Sequence, residues 1–121
     1  MLDHIGLEVQ DIAASGQFYD AVLKPLGIGR TKQFGELISY GTTGDTLWLV
    51  PATEGAPVRE MHIAFAASDR EAVDAFHAAA MAAGAESLHA PRLWPEYHDS
   101  YYGAFVRDPD GNNIEAVCHA P

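Results

Sequence analysis

The chain alternates between two hydrophobic rhythms, and it does so twice. From Leu2 to Val9 the period is two: Ile5, Leu7 and Val9 share one face, and His4, Gly6 and Glu8 share the other. That is the pattern of a strand with one side buried. The period then lengthens. Asp11 stands at an N-cap position, and Phe18, Tyr19, Val22 and Leu26 form an apolar stripe at helical spacing. Pro25 and Gly27 fall where this helix should end. Three short strands are predicted next, near 29–34, 36–41 and 45–50. Gly35 separates the first two, and Thr43-Gly44-Asp45 turns between the second and third. The stretch 51–59, with Pro51, Gly55 and Pro57, reads as a linker.

The succession then repeats. A strand near 60–66 leads into Ser68-Asp69-Arg70-Glu71, a capping-box pattern in which Ser68 and Glu71 satisfy orphan backbone donors. Val73, Phe76 and Ala80 make the buried stripe of the second helix, and Gly84 ends it. A strand near 85–89 precedes a loop with Pro91 and Pro95. Strands near 101–107 and 113–118 are joined by Asp108-Pro109-Asp110-Gly111, a strong turn signal. Laid over each other, the two openings share His4/His62, Ile5/Ile63, Asp11/Asp69, Ala14/Ala72, Phe18/Phe76 and Ala21/Ala79. The chain therefore reads as one α+β domain, 1–121, made of two βαβββ units at about 1–51 and 60–121.

Composition narrows the partners. With 121 residues, 48% of them hydrophobic, the chain can bury a core of its own. A net charge of −10 repels phosphate backbones and anionic membranes, so neither nucleic acid nor a lipid surface is expected as a partner. No apolar run approaches the roughly 20 residues that span a bilayer. The opening MLDHIGLEVQ lacks the pattern of a secretory signal, and a cytoplasmic location is the expectation. The single Cys118 excludes an internal disulfide and reads as a buried, inert thiol.

Candidate chemistry sits opposite the aliphatic faces. His4 opposes Ile5 and Leu7, and His62 opposes Ile63 and Phe65. In the last strand Ile114, Ala116 and Cys118 form the apolar face, so Glu115 points the other way with Asn113 and Val117. Taken singly, a strand histidine or glutamate is usually just solvated. As symmetry mates of a repeated unit, His4 and His62 together with Glu115 suit a borderline divalent ion and leave coordination positions open. His77 repeats Tyr19 on its helix and reads as structural, and nothing is assigned to His89 or His119.

The paired HIGLEV and HIAFAA strands and the closing AFVRDPDGNNIEA resemble the vicinal oxygen chelate superfamily over residues 2–118. That superfamily includes glyoxalase I, extradiol dioxygenases, fosfomycin-resistance transferases and metal-free bleomycin-binding proteins. The resemblance implies a cupped, eight-stranded mixed sheet around a metal site, usually in a homodimer. It implies one divalent ion (Fe, Mn, Ni, Zn or Co) on His4, His62 and Glu115. Where glyoxalase I typically supplies a fourth ligand from the last strand of its first unit, this chain has Trp48, an indole that cannot ligate. Trp48 is then a candidate wall for substrate.

The stretch RLWPEYHDSYY, 92–102, concentrates aromatic side chains beside the strand that neighbours Glu115. Counting by twos puts Tyr101, Gly103 and Phe105 on the cavity face. His98 is the candidate general acid or base, and Tyr101 the candidate donor to a substrate oxyanion. Trp94 and Phe105 join Trp48 as candidate substrate contacts, with simple packing of the loop as the ordinary alternative. The expected activity is metal-dependent glyoxalase- or dioxygenase-type chemistry on a small bidentate oxygen substrate, isomerase- or lyase-like chemistry being favoured. The alternatives are an Fe(II) extradiol-type dioxygenase and a non-catalytic small-molecule binding or resistance protein.

Overall fold

The structure is a computed structural model describing residues 1–57 and 59–121. The part of the expected linker at Val58 lies outside the described residues. Among the described residues eight strands and two α-helices follow the predicted order. The first unit comprises β1 (Ile5–Val9), α1 (Ile12–Leu23), β2 (Gly29–Phe34), β3 (Leu37–Gly41) and β4 (Leu47–Pro51). The second comprises β5 (His62–Ala66), α2 (Arg70–Ala82), β6 (Ser87–Leu93), β7 (Tyr102–Arg107) and β8 (Asn113–Cys118). The strand orders are β1-β4-β3-β2 and β5-β8-β7-β6, so each unit forms the same four-stranded mixed sheet. In each, the opening strand runs parallel to the closing one. Among the described residues no strand pairing joins the two sheets, so the eight strands form two open halves.

Alternation along the strands sorts the side chains as their polarity requires. Leu7, Val9, Leu47 and Leu49 of the first sheet, and Ala104, Val106, Ile114 and Ala116 of the second, are buried. They meet Phe18, Tyr19, Val22 and Leu23 of α1 and Val73, Phe76 and Ala80 of α2 in one continuous core. The helices pack on each other, so both units turn their apolar faces toward a shared helical layer. The opposite faces lie outside that core, and they carry the polar candidates. Among the described residues no helix is long and apolar enough to cross a membrane.

The local details show what ends each element. Asp11 caps α1 by accepting from the Ala14 N–H at 3.0 Å. A single 3-10 turn, Lys24–Leu26, follows at Pro25, and Gly27 closes it at φ 76°. For α2 the cap is Asp69, not Ser68: its carboxylate accepts from Ala72 N–H at 2.7 Å. A carboxylate is the better partner there, because it also meets the positive end of the helix dipole. β6 runs on through Pro91, where a loop was expected. It is an edge strand, and its pairing slips between Ser87 and Arg92, so a residue without an N–H is tolerated.

The Asp108–Gly111 turn fastens the second unit to the first. Asp108 is buried and accepts from Tyr19 Oη at 2.6 Å, from Asn112 Nδ2 at 2.9 Å, and from the backbone N–H groups of Asp110 and Asn112. Burial, and then the adjacent Asp108 carboxylate, push the Tyr19 phenol well above its ordinary range, so it stays a proton donor.

Candidate functional site

The outer face of the second sheet holds a buried carboxylate with two partners. Glu115 is 2% exposed although it points away from the helical core. Its Oε2 lies 3.1 Å from His62 Nε2, and its Oε1 accepts from the Tyr101 hydroxyl. The register explains the meeting. Glu115 pairs with Ala64 on one side and Phe105 on the other, which sets His62 and Gly103 diagonally across from it. Burial and then the Glu115 hydrogen bond raise the Tyr101 phenol above its ordinary value, so the hydroxyl keeps its proton and donates it. Gly103 leaves room for this pair: a Cβ there would stand 3.3 Å from both Glu115 Oε1 and Tyr101 Cε1.

The second contact of His62 orients its ring. Nδ1 lies 3.0 Å from the Asn113 carbonyl oxygen, which can only accept, so Nδ1 carries a hydrogen. Nε2 then faces a Glu115 carboxylate oxygen 3.1 Å away. A protonated ring would donate to that oxygen as an ion pair, and a neutral ring would turn two lone pairs toward each other, an arrangement that a shared cation satisfies. A carbonyl behind the remote nitrogen is the usual outer support of a metal-binding histidine. The 3.1 Å spacing suits two donors sharing one ion, given bonds of about 2.1 Å. In chemistry and spacing, His62 and Glu115 fit a borderline divalent ion.

His4 is elsewhere. It precedes β1, its side chain is 58% exposed, and its Nδ1 contacts Asp3 Oδ1 at 2.6 Å. Among the described residues no group of three or more His, Cys, Asp or Glu side chains comes together. One chain thus brings together two of the three expected ligands. Trp48 is half-buried on the outer face of the first sheet, opposite Gly6. Gly6–Trp48 in the first unit corresponds to Ala64–Glu115 in the second, so the indole occupies the position equivalent to Glu115.

The aromatic stretch 92–102 covers this half-site from one side. Phe105 stacks on His62 at 6.0 Å and 21°, forming a flat wall beside Nε2. Trp94 is buried behind it, edge-on to Phe105 at 5.1 Å, with its Nε1–H donating to the Gly103 carbonyl at 3.0 Å. The Arg92 guanidinium lies 3.4 Å from the Trp94 ring centre. Trp94 therefore supports the wall from behind. His98 has both nitrogens engaged, Nδ1 with Ser100 N–H at 3.1 Å and Nε2 with His119 Nδ1 at 2.8 Å. His119 went unassigned from the sequence, although extending the alternation Asn113, Glu115, Val117 by one step reaches it.

The fold and this half-site define a βαβββ protein with a carboxylate–imidazole pair on the outer face of its second sheet. The chain belongs to the Glyoxalase/Bleomycin resistance protein/Dioxygenase superfamily, whose family model matches residues 1–116. It is similar to a glyoxalase/bleomycin resistance protein from Albidiferax ferrireducens T118, at 34% identity and a TM-score of 0.84, covering 95% of this chain and 96% of that one. An uncharacterized protein of Bacillus subtilis (strain 168), YqjT, is 30% identical over 96% of this chain and 97% of its own length. A lactoylglutathione lyase from Agrobacterium tumefaciens shares the fold, with a TM-score of 0.70 at 23% identity over 95% of this chain and 90% of that one.

Proposed function

We propose that the chain is a metal-dependent enzyme of the glyoxalase/dioxygenase type, acting on a small substrate that presents two adjacent oxygens. The observation that carries this reading is the meeting of His62 Nε2 with the buried Glu115 Oε2 at 3.1 Å, with the Asn113 carbonyl behind the remote nitrogen, an arrangement that supports a shared cation. His62 and Glu115 would hold a divalent ion, and His4 of a second copy would supply the third donor. Bound there, the ion would polarise adjacent substrate oxygens as a Lewis acid, the electronic demand of isomerase- and lyase-like reactions.

The chain's own residues have defined tasks in this scheme. Tyr101 fixes Glu115 by one oxygen and leaves the other toward His62. The Asn113 carbonyl holds the His62 ring in the tautomer that presents Nε2. Phe105 and the His62 ring offer a flat surface against which a planar substrate packs, and Trp48 would face it from the first unit of the second copy. Tyr101 is a positioning residue in this reading, since its proton is committed to Glu115.

Metal analysis after reconstitution tests the proposal. Wild type should retain close to one divalent ion per chain, and His62→Ala and Glu115→Ala should lose it while staying folded by circular dichroism. Equal, negligible metal in all three proteins would sink the assignment.

A further inference from the structure

The His98–His119 contact has a direction. The Ser100 N–H can only donate, so at 3.1 Å it fixes His98 Nδ1 as the unprotonated nitrogen. A neutral His98 therefore carries its hydrogen on Nε2 and donates it to His119 Nδ1 at 2.8 Å. His119 in turn keeps its own hydrogen on Nε2. Every ring nitrogen of the pair is then either a donor or an occupied acceptor. No lone pair is left for an additional proton.

This pair ties two separate parts of the chain. His119 follows β8 in the C-terminal tail, and His98 lies in the loop between β6 and β7. That loop is closed at its base by Trp94 N–H donating to the Tyr101 carbonyl at 2.7 Å. The two imidazoles stack at 5.1 Å and 23°, and Tyr101 meets both edge-on, His98 at 5.5 Å and His119 at 5.2 Å. Tyr101 is the residue whose hydroxyl holds Glu115. The ring that orients the buried carboxylate is thus braced by a histidine pair from the loop and the tail.

We propose that His119 is a positioning residue: by accepting the His98 Nε2–H it latches the C-terminal tail to the 94–101 loop and keeps Tyr101 on Glu115. The latch fixes one tautomer on each ring: a hydrogen on His98 Nδ1 would face the Ser100 N–H, and one on His119 Nδ1 would face the His98 N–H. Tyr97 meets Tyr101 edge-on at 4.9 Å, and Tyr101 connects the pair to Glu115 of β8. The Arg92–Glu96 ion pair of the same segment is closed on itself at 3.0 Å.

Nitrogen-15 NMR of the histidine side chains in the intact protein, with the Tyr101 ring signals followed alongside, tests the latch without any ligand. Both His98 and His119 should be Nε2–H tautomers. His119→Ala should move the Tyr101 signals away from their wild-type position. His119→Asn, whose side-chain oxygen can accept from His98, should return them to it. An Nδ1–H tautomer on His98, Tyr101 signals unmoved by His119→Ala, or no rescue in His119→Asn would each overturn the proposal.

Discussion

Glu115 combines near-complete burial with two contacts of opposite demand, and the consequences of altering either are separable. Tyr101 donates to one oxygen and His62 faces the other. Tyr101→Phe removes the donor while keeping the ring, so the fold should persist and affinity for the divalent ion should fall by about 10- to 100-fold, the usual effect of losing an outer support. Competition with a chromophoric chelator measures it, and unchanged affinity would remove Tyr101 from the site. Gly103→Ala acts on the same pair by crowding: its Cβ would press on Glu115 Oε1 and Tyr101 Cε1 at 3.3 Å. A stability loss of about 1 kcal/mol, read from urea melts, is expected together with weaker metal binding. Far from the site, Tyr19→Phe leaves the buried Asp108 without one donor. It should cost about 1–3 kcal/mol in the same melts with metal affinity unaltered. The outward aim of Glu115 was legible in the sequence because Ile114, Ala116 and Cys118 had to face the helices. The Tyr101 contact was only half legible. Period two put it on the right face, but which acceptor its hydroxyl finds depends on the closure of the 94–101 loop, which no local pattern records.

At the scale of elements, periodicity and turn residues anticipated the order of strands and helices, while β6 runs past its expected end to Leu93 and side-chain chemistry decided the caps. Ser68 and Asp69 are both acceptable caps by residue type. The structure uses Asp69, the position equivalent to Asp11 in the first unit, so the internal repeat was the better guide. Asp69→Ala should destabilise the protein by about 1 kcal/mol, whereas Ser68→Ala should change it by less than about 0.5 kcal/mol. Thermal or urea melts of the two variants check this, and a reversed order would restore Ser68 as the cap. Pro91 misled for a different reason. A proline argues against a strand only where its missing N–H would break a ladder, and edge position is a property of the sheet, not of the local sequence. The same holds for Trp48: its equivalence to Glu115 is a statement of register, which alignment of the two units suggested and strand pairing makes explicit.

The whole molecule raises the question of where the third donor comes from. Among the described residues of one chain the helices pack on each other, the two sheets share no ladder, and His4 forms no ligand group with His62 and Glu115. A two-fold pairing that sets the first unit of one copy against the second unit of the other would bring the outer faces together twice, giving two equivalent sites per dimer. The sequence could not distinguish this from closure within a chain, because a linker spanning 51–59 reaches roughly 30 Å when extended and permits both. Complementation separates them. If each site is shared between two copies, His4→Ala and Glu115→Ala chains would each be unable to build a site in their own homodimers. When the two are unfolded together and refolded, about half the dimers are mixed. Each mixed dimer regains one intact site, with His4 from the Glu115→Ala chain and Glu115 from the His4→Ala chain. The refolded mixture should therefore bind about a quarter of the metal held by wild type, while either variant alone binds almost none. Sites confined to a single chain would leave the mixture as empty as its components, because no exchange of subunits can place His4 and Glu115 in one polypeptide that lacks either.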